Sequence, residues 1–272
     1  MAKPVRVGMV AGEASGDLLA AHLIAALKAR RPDLGFAGIG GPKMAAQGFV
    51  SHYPMDKLSV RGYAEALRHY REIMGIRRRL ARSLIAERPE LFIGVDSSDF
   101  NLGLERSLRD AGIPALHYVS PSIWAWRGWR IRRIARSVSR ILVMLPFEAP
   151  IYEKAGVPVT YVGHPLADVI PFAPKKDEAR VQLRLPANKL IVALLPGSRR
   201  SELQYMAAAF LLAAHRFRQE VHDVHFVCPM VTRETREMFE RALHEHERND
   251  LPLTLLFGHS HEALAANRKS VV

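Results

Sequence analysis

Val5-Arg6-Val7-Gly8-Met9-Val10-Ala11 runs straight into Gly12-Glu13-Ala14-Ser15-Gly16-Asp17, and this junction decides the fold class. The first seven residues are a short apolar run interrupted only by Arg6, which reads as a buried strand. Beyond the turn, over residues 17–29, Leu18, Leu19, His22, Leu23, Ala26 and Leu27 recur at helical spacing. A strand, a glycine-containing turn and a helix make the opening unit of a parallel α/β sheet. The same texture returns, with strand candidates at 36–39, 91–95, 115–119, 141–145 and 159–162 and helical stretches between most of them. That alternation predicts a parallel sheet covered on both faces.

Pro165, Pro171 and Pro174 then crowd together ahead of Lys175-Lys176-Asp177-Glu178. Proline lacks an amide donor and resists regular structure, so residues 165–176 read as a linker. A second alternating set follows, with strands at 190–195, 224–227 and 253–257 and helices at 202–218 and 232–246. The domains are therefore placed at 1–166 and 167–272. The second set reaches three strands against six in the first. Asn267-Arg268-Lys269-Ser270-Val271-Val272 does not extend the helical pattern that begins at Ser260. The expectation is a chain truncated or shifted in frame inside an incomplete second domain.

Composition narrows the class of partner. Thirty-nine lysines and arginines against 27 acidic residues leave +12, which calls for something anionic: nucleic acid, acidic lipid or a phosphorylated substrate. No apolar run is long enough to cross a bilayer, and the start has no signal-peptide cleavage pattern. Cys228 is the one cysteine, so no intrachain disulfide forms, in keeping with a reducing cytoplasm.

The turns at strand ends carry the candidate chemistry, because ligands gather at the carboxyl ends of parallel strands. Around Glu13 and Ser15, small residues let the backbone approach a ligand and the helix start offers free amides. The competing reading is a plain turn with Ser15 or Asp17 as the helix cap. The turn fits neither the dinucleotide fingerprint nor the phosphate loop, so neither a nicotinamide cofactor nor ATP is indicated. Gly38-Ile39-Gly40-Gly41-Pro42-Lys43-Met44 is a second such turn. Gly94-Val95-Asp96-Ser97-Ser98-Asp99-Phe100-Asn101 puts two carboxylates at a third; Asp96 reads equally as a general base or a cap, Asp99 more as a cap.

His117-Tyr118-Val119-Ser120-Pro121-Ser122-Ile123-Trp124-Ala125-Trp126-Arg127 lies in the segment holding all three tryptophans. It reads as a loop closing over something apolar or planar, with core packing as the alternative. Two basic stretches stand out. Arg132, Arg136 and Arg140 fall at four-residue spacing, on one helix face. Arg68, Arg71, Arg77, Arg78, Arg79 and Arg82 are interleaved with Leu67, Tyr70, Ile73, Met74, Ile76 and Leu80, a pattern suited to an anionic membrane surface or to a plain solvated face. Leu195-Pro196-Gly197-Ser198-Arg199-Arg200-Ser201-Glu202 joins a tight turn to an arginine pair and a helix start, as a diphosphate needs. No histidine–cysteine group has metal-ligand spacing, and no Ser-His-Asp arrangement follows from residue order alone.

Taken together, these residues resemble the lipid-A-disaccharide synthase family from Val5 to about Ala266. The resemblance rests on Gly12 to Asp17, the turn at 40–44, Val95-Asp96 with Asp99-Phe100-Asn101, the tryptophan stretch, Leu145-Pro146-Phe147-Glu148, Gly163-His164 and Leu194 to Arg199. It implies two Rossmann-like domains in the GT-B arrangement, an acceptor and membrane domain first and a UDP-sugar domain second. The implied reaction joins UDP-2,3-diacylglucosamine to 2,3-diacylglucosamine 1-phosphate with inversion and releases UDP. It runs without a metal or other cofactor, on the cytoplasmic face of the inner membrane, and the full-length form is expected as a homodimer. By position, Asp96 becomes the catalytic base. Glu13, Ser15, Asp99, Asn101, Ser120, Ser122, Trp124 and Arg127 become substrate-binding residues, and Gly197, Ser198 and Arg199 hold UDP. Ser97-Ser98 stands where Ala-Pro is usual in the family, and Arg200-Ser201 where Gly-Ala is common. The family's Ser-Gly-Thr-rich donor motif has no counterpart at 267–272, so little activity is expected of this chain. Two other readings compete: an inactive fragment that keeps lipid or membrane binding, and a basic nucleic-acid-binding protein, which net charge alone favours and for which no sequence signature is present.

Overall fold

The computed structural model describes residues 6–58, 63–125 and 128–267. The chain divides into two compact units, Met1–Val169 and Ile170–Val272.

Unit 1 is built on seven parallel strands among the described residues: β1 (Arg6–Ala11), β2 (Gly35–Gly40), β3 (Phe49–Pro54), β4 (Leu91–Val95), β5 (Ala115–Tyr118), β6 (Arg140–Val143) and β7 (Val159–Tyr161). Their spatial order is β3-β2-β1-β4-β5-β6-β7. The order reverses between β1 and β4, the topological switch point at which doubly wound sheets open a crevice beyond the strand ends. The helices are α1 (Ala14–Arg30), α2 (Pro42–Ala46), α3 (Tyr63–Glu87), α4 (Ser98–Asp110), α5 (Ile131–Ser137), α6 (Ala149–Lys154) and the short α7 (Leu166–Val169). Two apolar layers sandwich the sheet. Met9, Leu19, Ile24 and Ile93 belong to one, and Val10, Ile39, Leu80, Leu84, Phe92 and Leu104 to the other. Adjacent residues of β1 therefore serve opposite layers, as the strand's two-residue period requires.

Unit 2 pairs β8 (Leu190–Ala193), β9 (Val224–Met230) and β10 (Leu253–Phe257) in parallel, in the order β10-β9-β8. Helices α8 (Lys176–Gln182), α9 (Arg200–Glu220), α10 (Arg233–Glu245) and α11 (Ser260–Ala266) accompany them. Leu203, Leu211, Phe226 and Phe239 form one side of its core; Ile191, Val227, Ala263 and Ala266 form the other. Both units are α/β, as the alternation predicts.

Two sequence expectations need correction. Neither Ser15 nor Asp17 caps α1, which begins earlier, with Glu13 at its N-cap and no side-chain cap bond. Asp17 instead reaches across to α2 and accepts from the amides of Gly41, Lys43 and Met44 at 2.9–3.0 Å. Arg140 does not share a helix face with Arg132 and Arg136: α5 ends at Ser137, and Arg140 opens β6, donating to the Val159 carbonyl and Thr160 Oγ1. Of the apolar residues interleaved in the earlier basic helix, α3, Ile76 and Leu80 are buried, Ile73 and Met74 are partly buried and Tyr70 is exposed. Arg71, Arg78, Arg79 and Arg82 remain exposed on its outer side, while Leu67 and Arg68 lie outside the described side chains. No helix among the described residues is long and apolar enough to cross a membrane.

Candidate functional site

The carboxyl ends of β1 and β4 lie side by side, with Ala11 in register with Val95. The turns leaving them touch: a Cβ placed on Gly12 would collide with Ser97 Oγ. Asp96 and Ser97 both take left-handed backbone conformations, with φ of 52° and 42°, and Val119 at the end of the neighbouring β5 does so at 79°. For a β-branched residue this costs on the order of 1–3 kcal/mol, and such strain collects at functional sites. Asp and Ser are common turn residues, but nothing in the sequence points to a left-handed β-branched Val119.

Asp96 is half-buried, and its carboxylate has no hydrogen bond or ion pair among the described residues. Its backbone is held on both sides. The Asp96 amide donates to the Tyr118 carbonyl at 2.9 Å, and its carbonyl accepts from Asn101 Nδ2 at 2.8 Å. The same amide nitrogen of Asn101 also lies 3.3 Å from the carbonyls of Val10 and Val95. Asn101 is therefore not on the surface of the site, as a substrate-binding residue would be. It is fully buried and ties together the two strand ends that flank the switch point.

Asp99 does not cap α4, whose N-cap is Ser97 without a side-chain cap bond. It sits in the first helical turn, 80% exposed, and pairs with the buried guanidinium of Arg130. Arg130 is thus committed to Asp99 and is not a free surface cation. Glu13 is half-buried and Ser15 exposed at the start of α1, just past the carboxyl end of β1.

The tryptophan segment divides. Ser120 is buried and its hydroxyl lies 2.8 Å from Tyr152 Oη, with a further bond to the Pro121 carbonyl, so it anchors the loop to α6. Ser122 is exposed. Trp124 is half-exposed and meets Phe147 edge to face at 5.2 Å, and Phe147 is as exposed as its partner. Trp126 and Arg127 lie outside the described residues. Phe147 stands in the Leu145-Pro146-Phe147-Glu148 stretch that carries the family resemblance, but nothing in that stretch alone marks it as a partner of Trp124.

In unit 2 the turn after β8 brings Gly197 to φ 137°, a conformation that suits glycine. Glu202, at the third position of α9, reaches back to the amides of Ser198 and Arg199 at 2.8 and 3.0 Å and to the Arg199 guanidinium at 3.3 Å. Those amide bonds, with the Arg199 charge, hold the Glu202 carboxyl below the ordinary carboxylate range. The donors expected to hold UDP thus form a real anion cradle, and an internal carboxylate fills it.

A family model described as lipid-A-disaccharide synthetase matches residues 7–272. The chain belongs to the lipid-A-disaccharide synthetase family. Among its relatives, lipid-A-disaccharide synthase from Dechloromonas aromatica is 56% identical over 100% of this chain and 72% of its own length. The synthase from Aromatoleum aromaticum is 56% identical over 96% of this chain and 67% of its own. This chain therefore spans about two thirds to three quarters of these relatives. The family is one of glycosyltransferases, and neither the binding-only fragment nor the nucleic-acid reading gains support from the relatives' names. Two solved structures share the fold. The S. aureus MnaA-UDP co-structure aligns at TM-score 0.62 and 12% identity, covering 96% of this chain and 70% of that one. UDP-GlcNAc 2-epimerase from Neisseria meningitidis bound to UDP-GlcNAc aligns at 0.65 and 10%, covering 96% and 74%. At such identities they speak for the fold alone.

Proposed function

We propose that this chain carries out, or contributes the acceptor side of, an inverting transfer of 2,3-diacylglucosamine from UDP to 2,3-diacylglucosamine 1-phosphate. Asp96 is the base. It takes the proton from the acceptor's primary hydroxyl while that oxygen bonds to the donor's anomeric carbon. The bond from that carbon to the UDP oxygen breaks, and UDP leaves with the electron pair. The observation carrying this reading is the unpaired, half-buried carboxylate of Asp96 on a strained turn at the switch point. A base must be free to accept a proton, and the two backbone hydrogen bonds of Asp96 hold the turn that carries its carboxylate, which supports this reading.

Glu13, Ser15 and Asp99 line the acceptor side and Ser122 and Trp124 the loop above it; Arg127 is assigned to substrate binding by its place in the sequence motif alone. Asn101 and Ser120 act from beneath. Arg199 and the amides after Gly197 receive the diphosphate, which must displace the carboxylate of Glu202 to do so. The first domain docks on an anionic membrane surface through the exposed arginines of α3, and UDP-sugar binding belongs to the second. The enzyme works in the cytoplasm at the inner membrane.

The test is disaccharide formation from the two lipid substrates by this chain and its Asp96→Asn variant. A general base contributes about 10²–10⁴-fold, so the variant should lose that much in kcat while its melting temperature holds. Full activity in Asp96→Asn would remove the base assignment, and no product from the unaltered chain would refute transfer by this chain alone and leave only the acceptor-side contribution.

A further inference from the structure

Two buried acceptors lie under the Asp96 turn, and the reaction above uses neither. Asn101 Oδ1 and Glu105 Oε2 are shielded from solvent and have no hydrogen-bond partner among the described residues. The two side chains are four residues apart on α4, hence neighbours on one helix face. Both pack on Gly94 of β4, where a Cβ would collide with Glu105 Oε1 and stand 2.9 Å from Asn101 Cβ. The second oxygen, Glu105 Oε1, is 2.7 Å from His117 Nδ1, and both residues have no exposed side-chain surface. His117 Nε2 lies 3.3 Å from Ser98 Oγ, at the opening of α4.

Counting protons along this chain restricts its state. An ionised Glu105 only accepts, which leaves Oε2 bare inside the protein while Asn101 Oδ1, on the same helix face, is bare as well, a costly arrangement. Rotating the Asn101 amide offers no remedy, because its nitrogen serves the carbonyls of Val10, Val95 and Asp96. A proton on Glu105 Oε2 would give that atom a donor's role, with Asn101 Oδ1, on the same helix face, as the bare acceptor it could serve. His117 then donates from Nδ1 to Glu105 Oε1 and accepts at Nε2 from the Ser98 hydroxyl, so every polar atom in the chain has a role. Burial also pushes the Glu105 carboxyl up, against the opposing influence of His117.

We propose that Ser98, His117, Glu105 and Asn101 form a chain of neutral hydrogen bonds in which Glu105 stays protonated and keeps the Asn101 amide on the Asp96 turn. Glu105 and His117 are positioning residues for Asp96. The protonation pattern stands on the buried geometry alone; its catalytic consequence rests on the base role proposed above.

Glu105→Gln decides the matter, because it keeps the shape and places an amide donor where the acid proton was. Infrared difference spectra of the chain against Glu105→Gln at neutral pH should show a carboxylic-acid carbonyl band that the variant lacks. Nitrogen-15 spectra should show His117 as the neutral tautomer protonated at Nδ1. In disaccharide formation, Glu105→Gln should stay within about threefold of the unaltered kcat, while Glu105→Leu should lose about tenfold or more with KM little changed. That loss should vanish in an Asp96→Asn background, since a residue acting only through Asp96 has nothing left to position. A carboxylate signature for Glu105, an imidazolium at His117, or a Glu105→Gln variant as impaired as Glu105→Leu would overturn the proposal. So would covalent capture of Ser98 by a fluorophosphonate, which would make the same three residues a nucleophile triad. Should Glu105→Leu fail to fold, Glu105→Gln and the two spectra still give the answer. If the unaltered chain forms no disaccharide, the transfer reading falls by itself and the spectra continue to test the protonation pattern.

Discussion

Asp17 shows how much one buried carboxylate organises. It is almost fully buried, and its two oxygens take three amide donors from the start of α2, a helix too short to hold itself. Asp17→Ala would strand those amides and should lower unfolding stability by about 2–3 kcal/mol, read as a shift in urea midpoint. Asp17→Asn keeps acceptor capacity on one oxygen and should cost less; equal losses would show that the cap is not what matters. Gly94 is the second decisive residue. A methyl group there meets Glu105 and Asn101, both fixed by partners, so Gly94→Ala should destabilise by about 1–3 kcal/mol. It should also depress kcat, because it pushes Asn101 away from the Asp96 carbonyl. A variant that loses stability but keeps full turnover would separate the packing of α4 from the geometry of the turn.

The elements were legible where the apolar period was clean. Residues 91–95 and 253–257 stand as strands in the structure as they do in the sequence, because each is a short apolar run bounded by turn or charged residues. Phe49–Pro54 did not read as a strand: it lies on the edge of the sheet, its burial alternates poorly, and Ser51, His52 and Pro54 interrupt the apolar signal. Arg140 was placed on a helix face because its spacing continued α5, and only the tertiary pairing of β6 with β5 ends that helix. The site was half legible. Asp96 and the Gly197-Ser198-Arg199 turn could be picked out by position, but the inward roles of Asn101 and Ser120 depend on contacts with Val10 and Tyr152, far away in sequence. The start of α9 gives this scale its own prediction. Glu202 has a depressed carboxyl in the folded state, so its support of the helix start is present above the ordinary carboxylate range, near 4.5, and is lost as pH falls through the lower folded value. Amide exchange at Ser198 and Arg199 should therefore accelerate on acidification below about pH 4.5, relative to the rest of unit 2. Glu202→Gln should show faster exchange already at neutral pH and little further change with acid. UDP should slow exchange at the same two amides if it takes the place of Glu202.

At the scale of the whole molecule, each unit has its own core and its own buried acid that resists losing a proton. Burial pushes the Cys228 thiol of unit 2 from 9.0 up to about 12. In unit 1, burial pushes the Tyr152 phenol from 10.0 up to about 12, the hydrogen bond with Ser120 opposing, and Tyr118 is raised by burial as well. The sign is the same for all three. Below the unfolded value both states hold the proton and the stability contribution is intact; above it the unfolded chain releases the proton and the folded one retains it, so stability falls until the folded value is reached. Unit 2 should therefore weaken from about pH 9 upward and unit 1 from about pH 10, with Tyr152 alone accounting for roughly 2–3 kcal/mol by pH 12. Two probes separate the units without cutting the chain. All three tryptophans lie before residue 130, so their fluorescence follows unit 1, while the single cysteine reports on unit 2 through its reaction with a thiol reagent. In urea titrations from pH 7 to pH 11, thiol exposure should shift to lower urea before tryptophan emission does. Tyr152→Phe should weaken unit 1 at pH 7 through the lost bond to Ser120, yet flatten its decline above pH 10. If both probes moved together at every pH, the two cores would be unfolding as one cooperative body and the separate assignments of Cys228 and Tyr152 would fail.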